Sequence, residues 1–71
     1  MFGTELKKLR EKAALSQEQL AARAGVHRTY VSLLERNKKS PTLDVLFRLC
    51  KALSVPASRV IARVEAQREN R

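Results

Sequence analysis

Apolar residues along this chain recur every three or four positions and never alternate with polar ones over the length of a strand, a pattern that predicts helices throughout. The first helix, about residues 2–14, turns Phe2, Leu6 and Leu9 inward and leaves Lys7, Lys8, Arg10, Glu11 and Lys12 largely outward. Ser16-Gln17-Glu18-Gln19 reads as a capping box, in which Ser16 accepts from the backbone N–H three residues on and Gln19 reaches back. The helix it starts carries Leu20, Ala21 and Ala24 on one side and stops at Gly25, a residue that tolerates positive φ. A third helix, about residues 27–36, ends at Asn37, the best non-glycine choice for a left-handed residue. Lys38-Lys39-Ser40-Pro41 is a basic loop, with extended backbone favoured at Ser40 by the proline. Thr42 caps a fourth helix bearing Leu43, Leu46, Leu49, Cys50 and Leu53. Pro56 suits the first turn of a fifth, striped with Val60, Ile61 and Val64. Residues 65–71, EAQRENR, are charged and lack apolar anchors, and read as a fraying tail beyond a domain of residues 1–64. The expected fold is all-α, a compact five-helix bundle.

Only Gly25 and Val26 separate the second helix from the third. So short a turn makes the pair cross steeply rather than run antiparallel, which is the helix-turn-helix arrangement. Small side chains are needed at the crossing, and Ala21 and Ala24 supply them, with Val31 and Leu34 opposite. With Arg28 at zero and about 100° per residue, Thr29, Ser32 and Arg36 fall within about 100° of it, flanked by Leu33. Val31 and Leu34 fall on the other side, and Tyr30 sits at the boundary with its hydroxyl able to reach outward.

Charge gives that outward stripe a meaning. Fifteen Lys plus Arg against seven Asp plus Glu leave a net charge of +8 and a pI near 10.6, which points to a polyanionic partner. An α-helix fits the major groove of double-stranded DNA, where Arg28 can donate in a fork to guanine O6 and N7. Thr29 offers a hydroxyl or a methyl to a base edge, and Leu33 can meet a thymine methyl. Gln17 lies at the N-terminus of the second helix, where free N–H groups and the helix dipole favour a phosphate. Lys38 and Lys39 follow the third helix and supply sequence-independent attraction.

Other chemistry is poorly provided for. A chain of 71 residues buries only about 60% of its unfolded surface, too little for a large enclosed active site. There is no metal-ligand cluster, phosphate loop or nucleophile–base pair, so no enzyme, metal, cofactor or small-molecule ligand is expected. Cys50 is the only cysteine; it allows no internal disulfide, suits a reducing cytoplasm and reads as a small buried hydrophobe. No apolar run reaches the length of a membrane span or a signal peptide.

The segment LSQEQLAARAGVHRTYVSLLERNKKSPTLDVLFRLCKALSV closely resembles the Cro and phage-repressor type of helix-turn-helix family, often called the xenobiotic-response-element family. Gln17, Ala21, Gly25, Val31 and Leu34 fall in the family's register, followed by Glu35 and Pro41. The portion RTYVSLLERN resembles the controller proteins of restriction–modification systems. The resemblance implies a five-helix domain acting as a homodimer on a roughly palindromic operator. It places Arg28, Thr29 and Leu33 at base-reading positions, Gln17 against backbone or an outer base, and His27, Tyr30, Arg36 and Lys38 against phosphates. It also makes Arg10 and Glu35 a partly buried ion pair between the first helix and the end of the third. Three positions depart from the family pattern: Gln19 stands for a common glutamate, Asn37 for the usual glycine, and His27 for the usual Ser, Thr or Asp cap.

Val55, Val60, Ile61 and Val64 are candidates for the dimer surface, since so small a bundle cannot cover every apolar residue of its last helix; closing the monomer core is an equal alternative for each. With no sensor domain, control would come from protein concentration and operator arrangement, autoregulation included. Two other readings stay open: an antitoxin-type autorepressor, and a basic module that binds an acidic protein or RNA.

Overall fold

Most helix boundaries among the described residues have a local chemical cause. The computed structural model describes residues 1–69, all helical or in short connections: α1 (Phe2–Lys12), α2 (Gln17–Ala24), α3 (Arg28–Glu35), α4 (Leu43–Ala52) and α5 (Ala57–Glu69). At the start of α2 both halves of the capping box form, Gln19 N–H donating to Ser16 Oγ at 3.0 Å and Ser16 N–H to Gln19 Oε1 at 2.8 Å. Thr42 Oγ1 caps α4 by accepting from Val45 N–H at 3.1 Å.

The first four helices end in one way. Ala14, Gly25, Asn37 and Ser54 each adopt left-handed backbone, with φ of 58°, 72°, 59° and 57°. The residue after each donates its N–H five residues back, at 2.9–3.1 Å, satisfying carbonyls the helix leaves free. Three of those following residues are apolar and pack into the core: Leu15, Val26 and Val55. The fourth is Lys38, which is exposed. The left-handed turn at Ala14 also ends α1 at Lys12, two residues before the helical periodicity predicts, because the chain must reverse there to bury Leu15.

Leu6, Leu20, Val31, Leu34 and Leu49, at most 2% exposed, form the centre of the core and draw on four helices. Each contributes about 1.5–3 kcal/mol of burial. Helix α2 packs on α3 and α4, α1 on α3 and α5, and α4 on α5. A smaller cluster joins Leu46, Cys50 and Val60, with Phe2, Leu9, Val55 and Ala57 packed against it. Burial pushes the Cys50 thiol pKa up, so the side chain sits there as a neutral small hydrophobe.

Two expectations are corrected. Leu43, placed on the apolar stripe of α4, is 61% exposed, because the stripe that faces the core runs through Leu46, Leu49, Cys50 and Leu53. The charged segment after Val64 does not fray at once; it continues α5 to Glu69, held by polar contacts rather than apolar ones. Gln67 Nε2 donates to Glu5 Oε1 at 2.7 Å, and Arg63 Nη1 lies 3.7 Å from Glu5 Oε2. Glu5 is buried in the first turn of α1, where the helix dipole favours a carboxylate. Residues 70 and 71 of the expected tail lie outside the described residues.

Candidate nucleic-acid interface

Helix α3 is eight residues long, too short to hold its shape alone, so its neighbours must fix it. Its inner face does so through Val31 and Leu34, both 0% exposed, packed against Ala21 and Ala24 in the core cluster. Gly25, left-handed with φ of 72°, makes the turn from α2, and Val26 N–H donates to the Ala21 carbonyl at 3.0 Å. The opposite face is open. Arg28, Thr29 and Arg36 are exposed, and Ser32 and Leu33 are half-buried beside them, the stripe expected from helical periodicity. Tyr30 is half-buried, with its ring against the core. His27 occupies the N-cap position with extended backbone but makes no side-chain cap bond, so that end of α3 is held by the turn and by packing.

The far end of α3 is braced. Arg10 Nε donates to Glu35 Oε2 at 2.6 Å and Arg10 Nη2 to Glu35 Oε1 at 3.0 Å, with side-chain exposures of 12% and 2%. Arg10 Nη1 also donates to the Leu15 carbonyl at 2.8 Å. The hydrogen bonds that Arg10 donates to Glu35 raise the Arg10 pKa above its already high ordinary value, against the opposing pull of burial. The pair expected between these two residues is therefore present, two-pronged and largely enclosed.

Gln17 departs from expectation. Its Nε2 donates to Glu35 Oε1 at 3.0 Å, which turns the amide toward the brace rather than outward. The Glu35 carboxylate has room for this third donor, and sequence spacing alone does not reveal it. The consequence for charge is direct. Across residues 27–40 the one carboxylate is Glu35, inward and paired, while His27, Arg28, Arg36, Lys38 and Lys39 are exposed. This surface is positive with no acid to offset it.

The basic loop is anchored by a contact that sequence reading missed. Gly3 N–H donates to Asn37 Oδ1 at 3.0 Å, across 34 residues. A Cβ on Gly3 would lie 2.2 Å from the Leu34 carbonyl oxygen and 2.7 Å from that of Glu35. The signal was available: a glycine inside a helical pattern costs about 1 kcal/mol against alanine and calls for a packing reason.

Of the four α5-region valines and isoleucine considered for a dimer surface, Val60 is 3% exposed and belongs to the protomer's own core, and Val55 packs against both clusters. Ile61, 44% exposed, and half-buried Val64 keep surface to offer. They line an open groove of about 630 Å³ with Phe2, Pro41 and Leu46. On α4, which supplies Leu46, Leu43 and Phe47 stand one turn apart and 61% and 52% exposed, an apolar pair the sequence reading assigned to the core or left aside. Among the described residues, no helix is long and apolar enough to cross a membrane.

Comparison with known proteins agrees with this geometry. A family model described as helix-turn-helix matches residues 6–60. The chain is 39% identical over 67 residues to the control protein C.MunI of a Mycoplasma species, covering 93% of this chain and 90% of that one. Other curated regulators are longer, and the match spans as little as 34% of their length. The restriction–modification controller protein C.AhdI from Aeromonas hydrophila superposes with a TM-score of 0.81 at 36% identity, covering 83% and 89% of the two chains. SinR of Bacillus subtilis, the master regulator for biofilm formation, solved in complex with DNA, superposes at 0.82 with 31% identity, covering 86% and 98%. With its turn, its inward-pinned α3 and the family match over residues 6–60, the chain belongs to the helix-turn-helix family of DNA-binding, non-enzymatic transcriptional regulators, of the Cro and phage-repressor type that includes the restriction–modification controller proteins.

Proposed function

We propose that this chain is a sequence-specific regulator that acts as a homodimer on a palindromic operator, in the compartment that holds the DNA. The observation that carries the reading is the division of α3 into two faces, with Val31 and Leu34 wholly buried and Arg28, Thr29, Ser32 and Arg36 turned outward. Arg28, Thr29 and Leu33 read base edges, Arg28 in a fork to guanine. His27, Tyr30, Arg36, Lys38 and Lys39 contact phosphates, and Ser32 lies between the two sets. Gln17 contributes through the backbone N–H groups at the start of α2, its side chain being engaged by Glu35. Lys38 supports this division. It takes the place after a left-handed cap that an apolar residue fills at the other three, so the chain forgoes a core contact to expose a cation.

The open groove, lined by apolar residues together with Glu65 and Arg68, supports dimerisation. Ile61, Val64, Leu43 and Phe47 are the residues a second copy would cover. An interface of standard size takes about 800 Å² from each partner. That is roughly a sixth of the 4888 Å² surface of one protomer. Principal extents of 33 × 23 × 22 Å put two abutting copies on the scale of one DNA turn, about 34 Å, the separation of half-sites in successive major grooves. Autoregulation would then rest on protein concentration and operator arrangement.

Selection of bound duplexes from a random pool tests the reading and returns the operator with its spacing. Arg28→Ala should then cost about 1–3 kcal/mol on the selected site and relax the preference at one base pair. Lys38→Ala should weaken all DNA alike and lower the salt slope by about one. Equal affinity of the wild type for selected and random duplexes would remove the operator.

A further inference from the structure

We propose that Gly3 and Asn37 form a clasp that aims the basic loop at DNA, so that Gly3, at the other end of the sequence, is a positioning residue for the phosphate contacts. The inference rests on the DNA-binding reading above. It starts from an inconsistency in how the helices end. Ala14, Gly25 and Ser54 are each followed by an apolar residue that locks the turn into the core. The turn at Asn37 is followed by Lys38, exposed, and then by Lys39, also exposed. This turn has lost the hydrophobic lock that usually accompanies the motif.

The clasp stands in its place. The first turn of α1 has N–H groups with no partner inside the helix, and one of them, on Gly3, donates to Asn37 Oδ1 at 3.0 Å. Asn37 therefore does two things with one side chain. It accepts the left-handed backbone, φ 59°, and it reaches α1. Glycine at the same position would do only the first. Gly3 is equally constrained. The added Cβ would meet the carbonyl oxygens of Leu34 and Glu35 at 2.2 and 2.7 Å and Asn37 Oδ1 at 2.8 Å. Two of these atoms are backbone of the last turn of α3, so a larger residue must push α1 and α3 apart. The direction in which Lys38 and Lys39 leave α3 is thus set by α1.

The test uses the whole chain, with Asn37→Gly, Gly3→Ala and, as a control, Leu49→Val, a core change on α4. Each is melted and then titrated, below its transition, with a random-sequence duplex and with a duplex selected on the wild type, over a salt series. Amide exchange at Lys38 and Lys39 is followed in the free protein. Asn37→Gly should melt within about 5 °C of wild type, relief of the left-handed strain offsetting the lost hydrogen bond. It should nonetheless bind both duplexes about tenfold more weakly, flatten the log–log salt slope by between about one and two, and speed exchange at Lys38. Gly3→Ala should do the same with a lower melting temperature, while Leu49→Val should lose melting temperature and keep its affinity. The clasp is refuted if Asn37→Gly binds both duplexes like the wild type, if its Lys38 exchange is unchanged, or if Leu49→Val weakens binding equally. Failure of the wild type itself to bind either duplex would instead sink the DNA-binding reading.

Discussion

Truncating either member of the Arg10–Glu35 pair should be among the costliest single changes this domain can suffer. Glu35 accepts three hydrogen bonds, two from Arg10 and one from Gln17, and its side chain is 2% exposed. Glu35→Ala leaves the Arg10 guanidinium enclosed beside one remaining acceptor, the Leu15 carbonyl. Removing one partner of a buried pair costs about 3–5 kcal/mol, since the other charge stays desolvated. A domain of 71 residues has about 4–11 kcal/mol of stability in all, so the loss is about a quarter or more. At about 4 °C or more per kcal/mol, melting should fall by at least about 12 °C. Replacing both with apolar residues, Arg10→Met with Glu35→Leu, removes both charges and leaves the Leu15 carbonyl short of a partner, at about 1–3 kcal/mol, while the half-buried Gln17 amide can turn to water. The double variant should therefore be more stable than Glu35→Ala. Urea unfolding of the wild type, the single variants Arg10→Met and Glu35→Leu and their double variant, with Glu35→Ala beside them, at low and high salt is the assay. The cost of Glu35→Ala should survive high salt, unlike that of the exposed Asp44–Arg48 pair, worth about 0.3–0.5 kcal/mol. Single variants costing under about 1 kcal/mol, or a double variant equal to their sum, would refute the reasoning.

Other outcomes follow from the same structure. Ala14→Gly and Ser54→Gly, at φ of 58° and 57°, should each raise stability by about 0.5–1 kcal/mol in urea midpoints, and a loss would mean that no left-handed strain is stored there. On the dimer proposed above, Ile61→Glu should sediment as a monomer with little change in melting, because Ile61 is 44% exposed in the single chain; a monomeric wild type would remove the dimer, and a variant still dimeric would move the interface elsewhere. Cys50 should alkylate far more slowly folded than in urea. Because burial raises its pKa, its contribution to stability is present below the usual thiol range and is lost as pH climbs through the raised value; labelling as fast as in urea would contradict its burial.

What could be read in advance was local. The capping box at Ser16, the stop at Gly25 and the left-handed end at Asn37 are each written within a few residues, and each formed. The two faces of α3 follow from one helical period, and their exposures agree. The misses share a different origin. Gln17 looked outward because nothing near it in sequence claims its amide, whereas Glu35 lies 18 residues away. The α5 extension looked like a tail because its anchor is Gln67 on Glu5, a polar contact 62 residues apart that apolar patterning does not register. Val60 and Ile61 are neighbours of like character, yet one is core and the other surface; they point about 100° apart around α5, and which of the two faces inward is set by how the helix docks.

These contacts also explain how so short a helix can accept changes on its outer face without losing its place. An eight-residue helix is unstable in isolation, so its order is borrowed. The inner face takes it from Val31 and Leu34, and the last turn from Arg10 and Gly3. None of these tethers involves Arg28, Thr29, Ser32 or Leu33. The His27 cap adds nothing by side chain, so the N-terminal end, where Arg28 and Thr29 project, depends on the Gly25 turn and packing alone. Substitutions along the outer stripe should therefore stay within about 0.5 kcal/mol of wild-type stability while shifting which duplex binds. Substitutions at Val31, Leu34 or Glu35 should do the reverse, lowering stability before specificity. A scan in which the two effects failed to separate would mean that the outer face of α3 is part of what holds it.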